Sequence, residues 1–300
     1  MDDERESSNV DDRRGSSSNN FSSGGGRGLP SMGTMMMLWP IVKPLLKTKF
    51  GWVVIGLGGL AYFSGFNPLS LLSGQKSSTP THFNQKADDK QAIFIKKVLA
   101  STENIWNQVL PQYGLKYKEP IMVLYRNGTR SGCGQASSQM GPFYCPADQK
   151  VYLDLGFFDE LSSRHDAPGD FAQAYVLAHE VGHHMQNLQG TLSKVQKLKQ
   201  QWRSETKSNA LQVKVELQAD CYAGAWAHHA HKKFNILEQG DVEEALQAAS
   251  SIGDDTLMKK AGRAVRVEGF THGSSKQRIE WFRKGLNTGD LRVCNTFKKN

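Results

Sequence analysis

The stretch LAHEVGHHMQ, residues 177–186, constrains the fold of this chain more than any other. It lies within GDFAQAYVLAHEVGHHMQNLQG, whose apolar residues favour a helix. His179 and His183 are one helical turn apart, so both imidazoles lie on one face and can reach one Zn²⁺. Glu180 lies beside that ion and can accept a proton from a water bound to it. His184 is about 140° away around the helix and is not expected to bind the ion.

A catalytic zinc site needs a third protein ligand and an open position for water. The extended pattern HExxHxxGxxH fails, because Gln186 and Gln189 occupy its last two positions. The segment VELQADCYAGAWA supplies Glu216 instead, and Asp220 lies on the same face of a second helix. The alternative for Glu216 is a solvated glutamate, but its neighbours are apolar, and a buried carboxylate needs a strong partner such as zinc. Asp220 is then predicted to orient a ligand histidine through its other ring nitrogen.

The N-terminal part has a different composition. The first forty residues are rich in Ser, Asn and Gly, and residues 1–49 are predicted to be a disordered cytoplasmic tail. No charged residue occurs between Phe50 and Gln75, which predicts a transmembrane helix over 50–68 and a linker over 69–88. The alternative is a buried core helix. Arg27, Lys43, Lys47 and Lys49 precede the span and only Lys76 follows it closely, so the N-terminus is expected inside and the domain outside, in a bacterial inner membrane.

The remaining segment, residues 89–300, alternates strand-like and helix-like patterns and is predicted to be an α+β domain. Its cysteines are Cys133, Cys145, Cys221 and Cys294, and the spacing between them excludes CxxC motifs. In an oxidising compartment, Cys133 could pair with Cys145 and Cys221 with Cys294; four free buried thiols are the alternative.

The net charge of +8 is scattered along the chain. No dense basic run with interleaved aromatic residues occurs, which argues against nucleic-acid binding. The sequence does not indicate an oligomeric state.

The motif HEVGH followed by ELQAD resembles the glutamate zincins, notably the CAAX prenyl protease and heat-shock membrane protease group. FTHGSSKQRIEWF resembles a later element of that group, with His272 and Arg278 at matching positions and Gly273 in place of the usual proline. Over residues 5 to 297 the chain is similar to a bacterial family of neutral zinc metallopeptidases. The shared segments include ESSNVDDRRG, CPADQKVYLDLGFF, HEVGHHMQNLQG, VELQADCYAGAWA and THGSSKQRIEWF.

This resemblance implies a zincin-like metallopeptidase domain, with a small, mainly antiparallel sheet and active-site helices, behind one N-terminal transmembrane helix. His179, His183 and Glu216 would bind one zinc ion per chain, and Glu180 would act as the general base. By analogy, the strand Val151–Leu155 is predicted to be the sheet edge that binds an extended peptide, and an ordinary core strand is the alternative.

The later element implies two further roles. His272 is expected to stabilise the oxyanion, or alternatively to cap the helix that begins near Ser274. Arg278 is expected to pair with Asp220 or with another acidic residue close to the metal.

Two functions follow from these predictions. The first is a membrane-anchored, zinc-dependent endopeptidase acting on a peptide or protein substrate. The second is a catalytically silent, zinc-containing scaffold that binds peptides at the membrane. Glu180 favours the enzyme, because structural zinc sites are usually closed by Cys and His and need no adjacent carboxylate.

Overall fold

A computed structural model describes residues 4–15, 85–137, 140–165, 169–202 and 204–298. The strands are β1 (Val10–Asp12), β2 (Ile121–Tyr125), β3 (Gly128–Ser131), β4 (Gly134–Ser137), β5 (Phe143–Cys145) and β6 (Lys150–Asp154). The helices are α1 (Gln85–Val109), α2 (Leu155–His165), α3 (Asp170–Leu188), α4 (Thr191–Gln201), α5 (Glu205–Phe234), α6 (Asp241–Ser251), α7 (Asp254–Lys260) and α8 (Ser275–Thr288). Short 3₁₀ turns are formed by Leu110–Tyr113, Val267–Gly269 and Leu291–Cys294.

Four strands form one sheet in the order β1-β2-β6-β5, and β3 pairs with β4 in a separate hairpin. β1 is parallel to β2, and β2 is parallel to β6. β5 runs antiparallel to β6, with Tyr144 opposite Val151. The sheet is therefore mixed, and two of its three pairings are parallel.

Both faces of the two central strands are covered. Alternate residues contribute to the main core, which they share with α1, α3 and α5: Met122, Leu124, Val151 and Leu153. The intervening residues pack with Ala136 of the β3–β4 hairpin: Val123, Tyr125 and Tyr152. Burial on both faces is typical of parallel strands.

The predicted edge strand, Val151–Leu155, is in fact central, because β6 lies between β2 and β5. The edge on that side of the sheet is β5. The strand is also one residue shorter than predicted, because it ends at Asp154 and α2 begins at Leu155. The Asp154 carboxylate accepts a hydrogen bond from the backbone N–H of Gly156, in the first turn of this helix, at 2.9 Å.

The N-terminal residues 4–15 belong to this domain. β1 extends the sheet beside β2, and buried acidic residues of α1 bind the segment. Arg5 and Asn9 contact the Glu103 carboxylate at 2.6 and 2.9 Å, and Arg14 contacts Asp88 at 2.9 Å. The prediction of a disordered tail over residues 1–49 is thus wrong for residues 4–15, whose polar side chains contact buried carboxylates. Residues 16–49 lie outside the described residues.

The fold-class prediction is wrong as stated. The described part is mainly helical with a small mixed sheet, whereas the prediction was an α+β domain with a small, mainly antiparallel sheet and active-site helices behind one transmembrane helix. No helix among the described residues is long and apolar enough to cross a membrane, and the predicted span at 50–68 lies outside them.

Two disulfides are present, Cys133–Cys145 and Cys221–Cys294. The first joins the end of the β3–β4 turn to β5, and the second joins α5 to the C-terminal 3₁₀ turn. Disulfides persist in oxidising compartments, while the location of the protein outside the cytoplasm stays a prediction.

Helices α5 and α8 pack closely where two glycines face the opposite backbone. A Cβ atom on Gly224 would lie 2.0 Å from the Phe282 carbonyl oxygen, and one on Gly285 would lie 1.9 Å from the Cys221 carbonyl oxygen. This approach brings Arg278 of α8 against α5, so it also builds the site described below.

Gly285→Ala is expected to lower the free energy of unfolding by about 3 kcal/mol, at the upper end of overpacking costs. Alanine is the better helix former by about 1 kcal/mol, so a net loss has to come from the helix contact. The thermal midpoint should fall by roughly 6–12 °C in a domain of this size. Gly190→Ala is the control, since its position is open and only its φ of 73° is unfavourable. Equal midpoints for both variants would contradict the close contact.

Candidate metal centre

The predicted metal ligands come together between α3 and α5. His179 Nε2 lies 3.2 Å from Glu216 Oε2, and His183 Nε2 lies 3.4 Å from the same oxygen. His179 and Glu216 are buried, with 6% and 5% of their surfaces exposed. The helices can approach because Gly182 faces Ala219, where an added Cβ would meet the Ala219 backbone at 3.1 Å.

The spacing of these donor atoms fits zinc. A tetrahedral ion bound at zinc–ligand distances holds its ligand atoms about 3.3 Å apart. The two observed separations of 3.2 and 3.4 Å agree with that value. Another group of carboxylates with clustered oxygens, Asp170, Asp241 and Glu244, contains no histidine and is partly exposed.

Each imidazole is oriented through its other ring nitrogen. His179 Nδ1 lies 2.9 Å from Asp220 Oδ1, and His183 Nδ1 lies 2.9 Å from Gln186 Oε1. Both partners are oxygen acceptors, so each Nδ1 carries a proton, and each Nε2 is the nitrogen that would present its lone pair to a metal ion. Gln186 is itself fixed, because its amide donates to the Val215 carbonyl at 2.8 Å.

Asp220 is the centre of a buried polar network. Arg278 donates to its two oxygens from Nε and Nη2, both at 2.9 Å, and the Tyr175 hydroxyl donates at 2.5 Å. Asp220 is fully buried and Arg278 is 2% exposed. Burial would raise the pKa of Asp220, but Arg278 and His179 hold it well below its ordinary range. Asp220 therefore stays ionised and keeps its acceptor facing His179.

The metal-binding groups carry opposite charges when no cation lies between them. Burial would lower the pKa of His179, but the carboxylates of Asp220 and Glu216 raise it to about 9. Burial would raise the pKa of Glu216, but His183 and His179 hold it well below its ordinary range. A bound cation would replace the protons of this cluster.

The cluster opens into a cleft of about 770 Å³. Glu180 lines this cleft together with the three donors, and it is not one of them. Residues 140–144 and Pro146 line the same cleft, including Phe143 and Tyr144 of β5, and so do residues of α4. The cleft therefore joins the donors, the adjacent carboxylate and one edge of the described sheet.

His272 also lines the cleft, on the loop before α8. Its Nδ1 lies 3.3 Å from Asp254 Oδ1, and the backbone N–H groups of Thr271, His272 and Gly273 all donate to Asp254 Oδ2. Ser274 caps α8 with its own side chain, so the capping alternative for His272 does not apply. Its role in oxyanion stabilisation stays a prediction, which zinc content and activity of His272→Asn would test.

Sequence reasoning missed several residues of this site. Gln186 and Tyr175 are one helical turn from His183 and His179, so helical spacing could have indicated both. Asp254 is distant in sequence and carried no signal. His184 was not expected to bind the ion, and it contacts the Tyr144 hydroxyl at 3.1 Å, which ties β5 to α3.

The chain is similar to a protein family and to individual proteins over most of its length. The family described as "Putative neutral zinc metallopeptidase" matches residues 1–297. The Escherichia coli protein named "Uncharacterized protein YpfJ" is 44% identical over 298 residues, which cover 99% of this chain and 98% of that protein. The Mycobacterium tuberculosis protein named "Uncharacterized protein Rv2575" is 36% identical over 258 residues, 79% of this chain and 85% of that protein. No solved structure matches the chain.

Proposed function

This chain belongs to the neutral zinc metallopeptidase family, and on that premise we propose that it is a zinc-dependent endopeptidase. The observation that carries the proposal is the set of three donors at zinc-like spacing, with Glu180 in the same cleft. Three protein ligands and an open position distinguish catalytic zinc from closed structural sites.

When bound, zinc would supply a Lewis acid that polarises the scissile carbonyl. His179, His183 and Glu216 would hold the ion, and Asp220 and Gln186 keep both imidazoles in the required tautomer. Glu180 accepts the proton of the attacking water and returns it to the leaving amine. His272, on the cleft wall, donates a hydrogen bond to the carbonyl oxygen as negative charge develops there.

The substrate would be an extended peptide lying along β5. β5 is the edge strand beside the cleft, and an edge strand offers unpaired backbone groups to an added strand. Tyr144 holds this edge in place, because its hydroxyl contacts His184 and Asn187 of α3 at 3.1 and 2.9 Å. An open cleft at a strand edge suits cleavage within a chain.

Metal removal tests this function. The full-length protein is expected to bind about one zinc per chain and to cleave an unfolded protein, since one donor cluster among the described residues faces the cleft. A chelator should abolish cleavage, and added zinc should restore it. His183→Gln is expected to lose both zinc and cleavage, with circular dichroism as the check on folding. Cleavage that survives complete zinc removal would contradict the proposal, and zinc binding without cleavage of any substrate would favour a scaffold.

A further inference from the structure

The cleft that contains the donors also contains a lysine that the chemistry above does not use. Lys199 lies near the end of α4 and lines the cleft. It is half-buried, and several apolar side chains line the same cleft: Val176, Leu192, Val195, Ile252 and Leu257. Apolar surroundings reduce screening by water, so an ammonium group there attracts a negative charge more strongly than a surface lysine does.

Lys199 is held in place by a short chain of hydrogen bonds. Its ammonium donates to the side-chain oxygen of Gln212, and the Gln212 amide donates to Glu216 Oε1 at 2.7 Å. Glu216 Oε2 faces the histidines, so Gln212 connects the lysine to a metal ligand.

The remaining donors of Lys199 are available to a ligand. An ammonium group has three N–H donors, and one is used by Gln212. Among the described residues, no carboxylate forms an ion pair with Lys199, whereas Arg278 of the same cleft is fully engaged by Asp220. Burial lowers the pKa of Lys199, and the nearby charge of Glu216 offsets only part of that shift.

We propose that Lys199 binds a carboxylate of the substrate close to the scissile bond, and so makes the enzyme selective for acidic peptides. The path from Lys199 through Gln212 to Glu216 is roughly 8 Å long, because it consists of two hydrogen bonds and one amide group. An extended peptide advances about 3.3 Å per residue, so the carboxylate belongs within about two residues of the cleaved bond. Either an Asp or Glu side chain or the C-terminal carboxylate of the substrate supplies it. This inference rests on the proposed peptidase function and adds its substrate class.

The test compares matched synthetic peptides with the full-length zinc-loaded protein. One series replaces Glu by Gln at each of the two positions on either side of the cleaved bond, and another replaces a free C-terminus by an amide. The parent protein is expected to favour the acidic member of one pair by roughly 10–100-fold in kcat/KM, the range for a charge-assisted hydrogen bond. The series that shows the preference identifies the source of the carboxylate.

Variants then assign the preference to Lys199. In Lys199→Met the ratio of acidic to neutral peptide should fall to about one, and in Lys199→Arg a large part of it should remain. Lys197→Met is the matched control, because Lys197 is exposed on the same helix and does not line the cleft. An unchanged ratio in Lys199→Met would overturn the proposal. An equal loss for both peptides would also overturn it, because Lys199 would then act only through Gln212 on Glu216.

A binding measurement separates this proposal from the peptidase function. Labelled peptides are titrated into Glu180→Gln with zinc bound, and fluorescence anisotropy reports their affinity. If the parent protein cleaves no peptide, the peptidase function is contradicted. The binding measurement still tests the role of Lys199, because tighter binding of acidic peptides should be lost in Lys199→Met. Equal affinity for acidic and neutral peptides would reject the proposed role of Lys199.

Discussion

Glu180→Gln is expected to lower kcat for peptide cleavage by about 10²–10⁴-fold, the usual contribution of a general base. Glutamine has the same shape as glutamate but does not take up the proton of the attacking water. Glu180 lines the cleft and is not one of the three clustered donors, so the variant should keep its zinc. Metal analysis and initial rates on the same preparation measure both properties.

The matched control is Glu280→Gln. Glu280 is an exposed glutamate on α8, its side chain is 54% exposed, and it does not line the cleft. This control should keep both zinc and the parent rate. A Glu180→Gln protein that cleaves at the parent rate would remove Glu180 from the reaction, and one that loses zinc would indicate that its effect is structural.

The metal cluster was accessible to sequence reasoning because its geometry is local. His179 and His183 are one helical turn apart, and so are Glu216 and Asp220, so each helix presents its pair on one face. Only the meeting of the two helices is a long-range event. Apolar neighbours on both helices predicted that meeting, and Gly182 gave a sign of the close contact.

The sheet was not accessible in the same way. β1 pairs with residues more than a hundred positions later in the chain, and its sequence is polar with little apolar content. It is held by the buried carboxylates of Asp88 and Glu103, which look like ordinary helix-surface residues in the sequence. Strand order depends on such distant pairings, so the edge was assigned to the wrong strand.

The contacts of the cleft wall could not be predicted from the sequence either. Lys199 and Gln212 lie on successive helices, and Asp254 reaches the loop at His272 from a third. Each contact depends on turn geometry between helices, for which these segments carry no periodic pattern. Residues that position the ligands within a helix were predictable, and those that shape the substrate cleft were not.

Asp220→Asn is expected to weaken zinc binding by about 10–100-fold and to lower the free energy of unfolding of the metal-free protein by about 3–5 kcal/mol. The stability loss arises because Arg278, 2% exposed, keeps its charge but loses the carboxylate that neutralises it. The loss of affinity arises because an asparagine amide can turn its NH₂ group toward His179 Nδ1. The side chain at position 220 then no longer keeps the proton of His179 on Nδ1. Competition with a chromophoric chelator measures zinc affinity, and denaturant unfolding in excess chelator measures stability.

The pKa of Asp220 sets the pH range of this difference. Its pKa is lowered from the ordinary value of 3.8, so the folded state favours the ionised carboxylate and stability from this group is fully present above that value. It is lost as the pH falls through the lower, folded-state pKa, because the protonated carboxyl no longer neutralises Arg278. The stability difference between the parent and Asp220→Asn should therefore be largest at neutral pH and shrink in strong acid.

Asp154→Asn is the matched control for Asp220→Asn. Asp154 is also buried, but it is not one of the residues of the metal cluster. Its carboxylate accepts hydrogen bonds from the backbone N–H groups of Asn127 and Gly156 at 3.0 and 2.9 Å. Burial raises its pKa, so the neutral amide replaces a carboxyl group that is easier to neutralise. This control should lose less stability and bind zinc as tightly as the parent. Equal loss of zinc affinity in both variants would mean that Asp220 acts through general stability, and unchanged affinity in Asp220→Asn would mean that His179 is oriented without it.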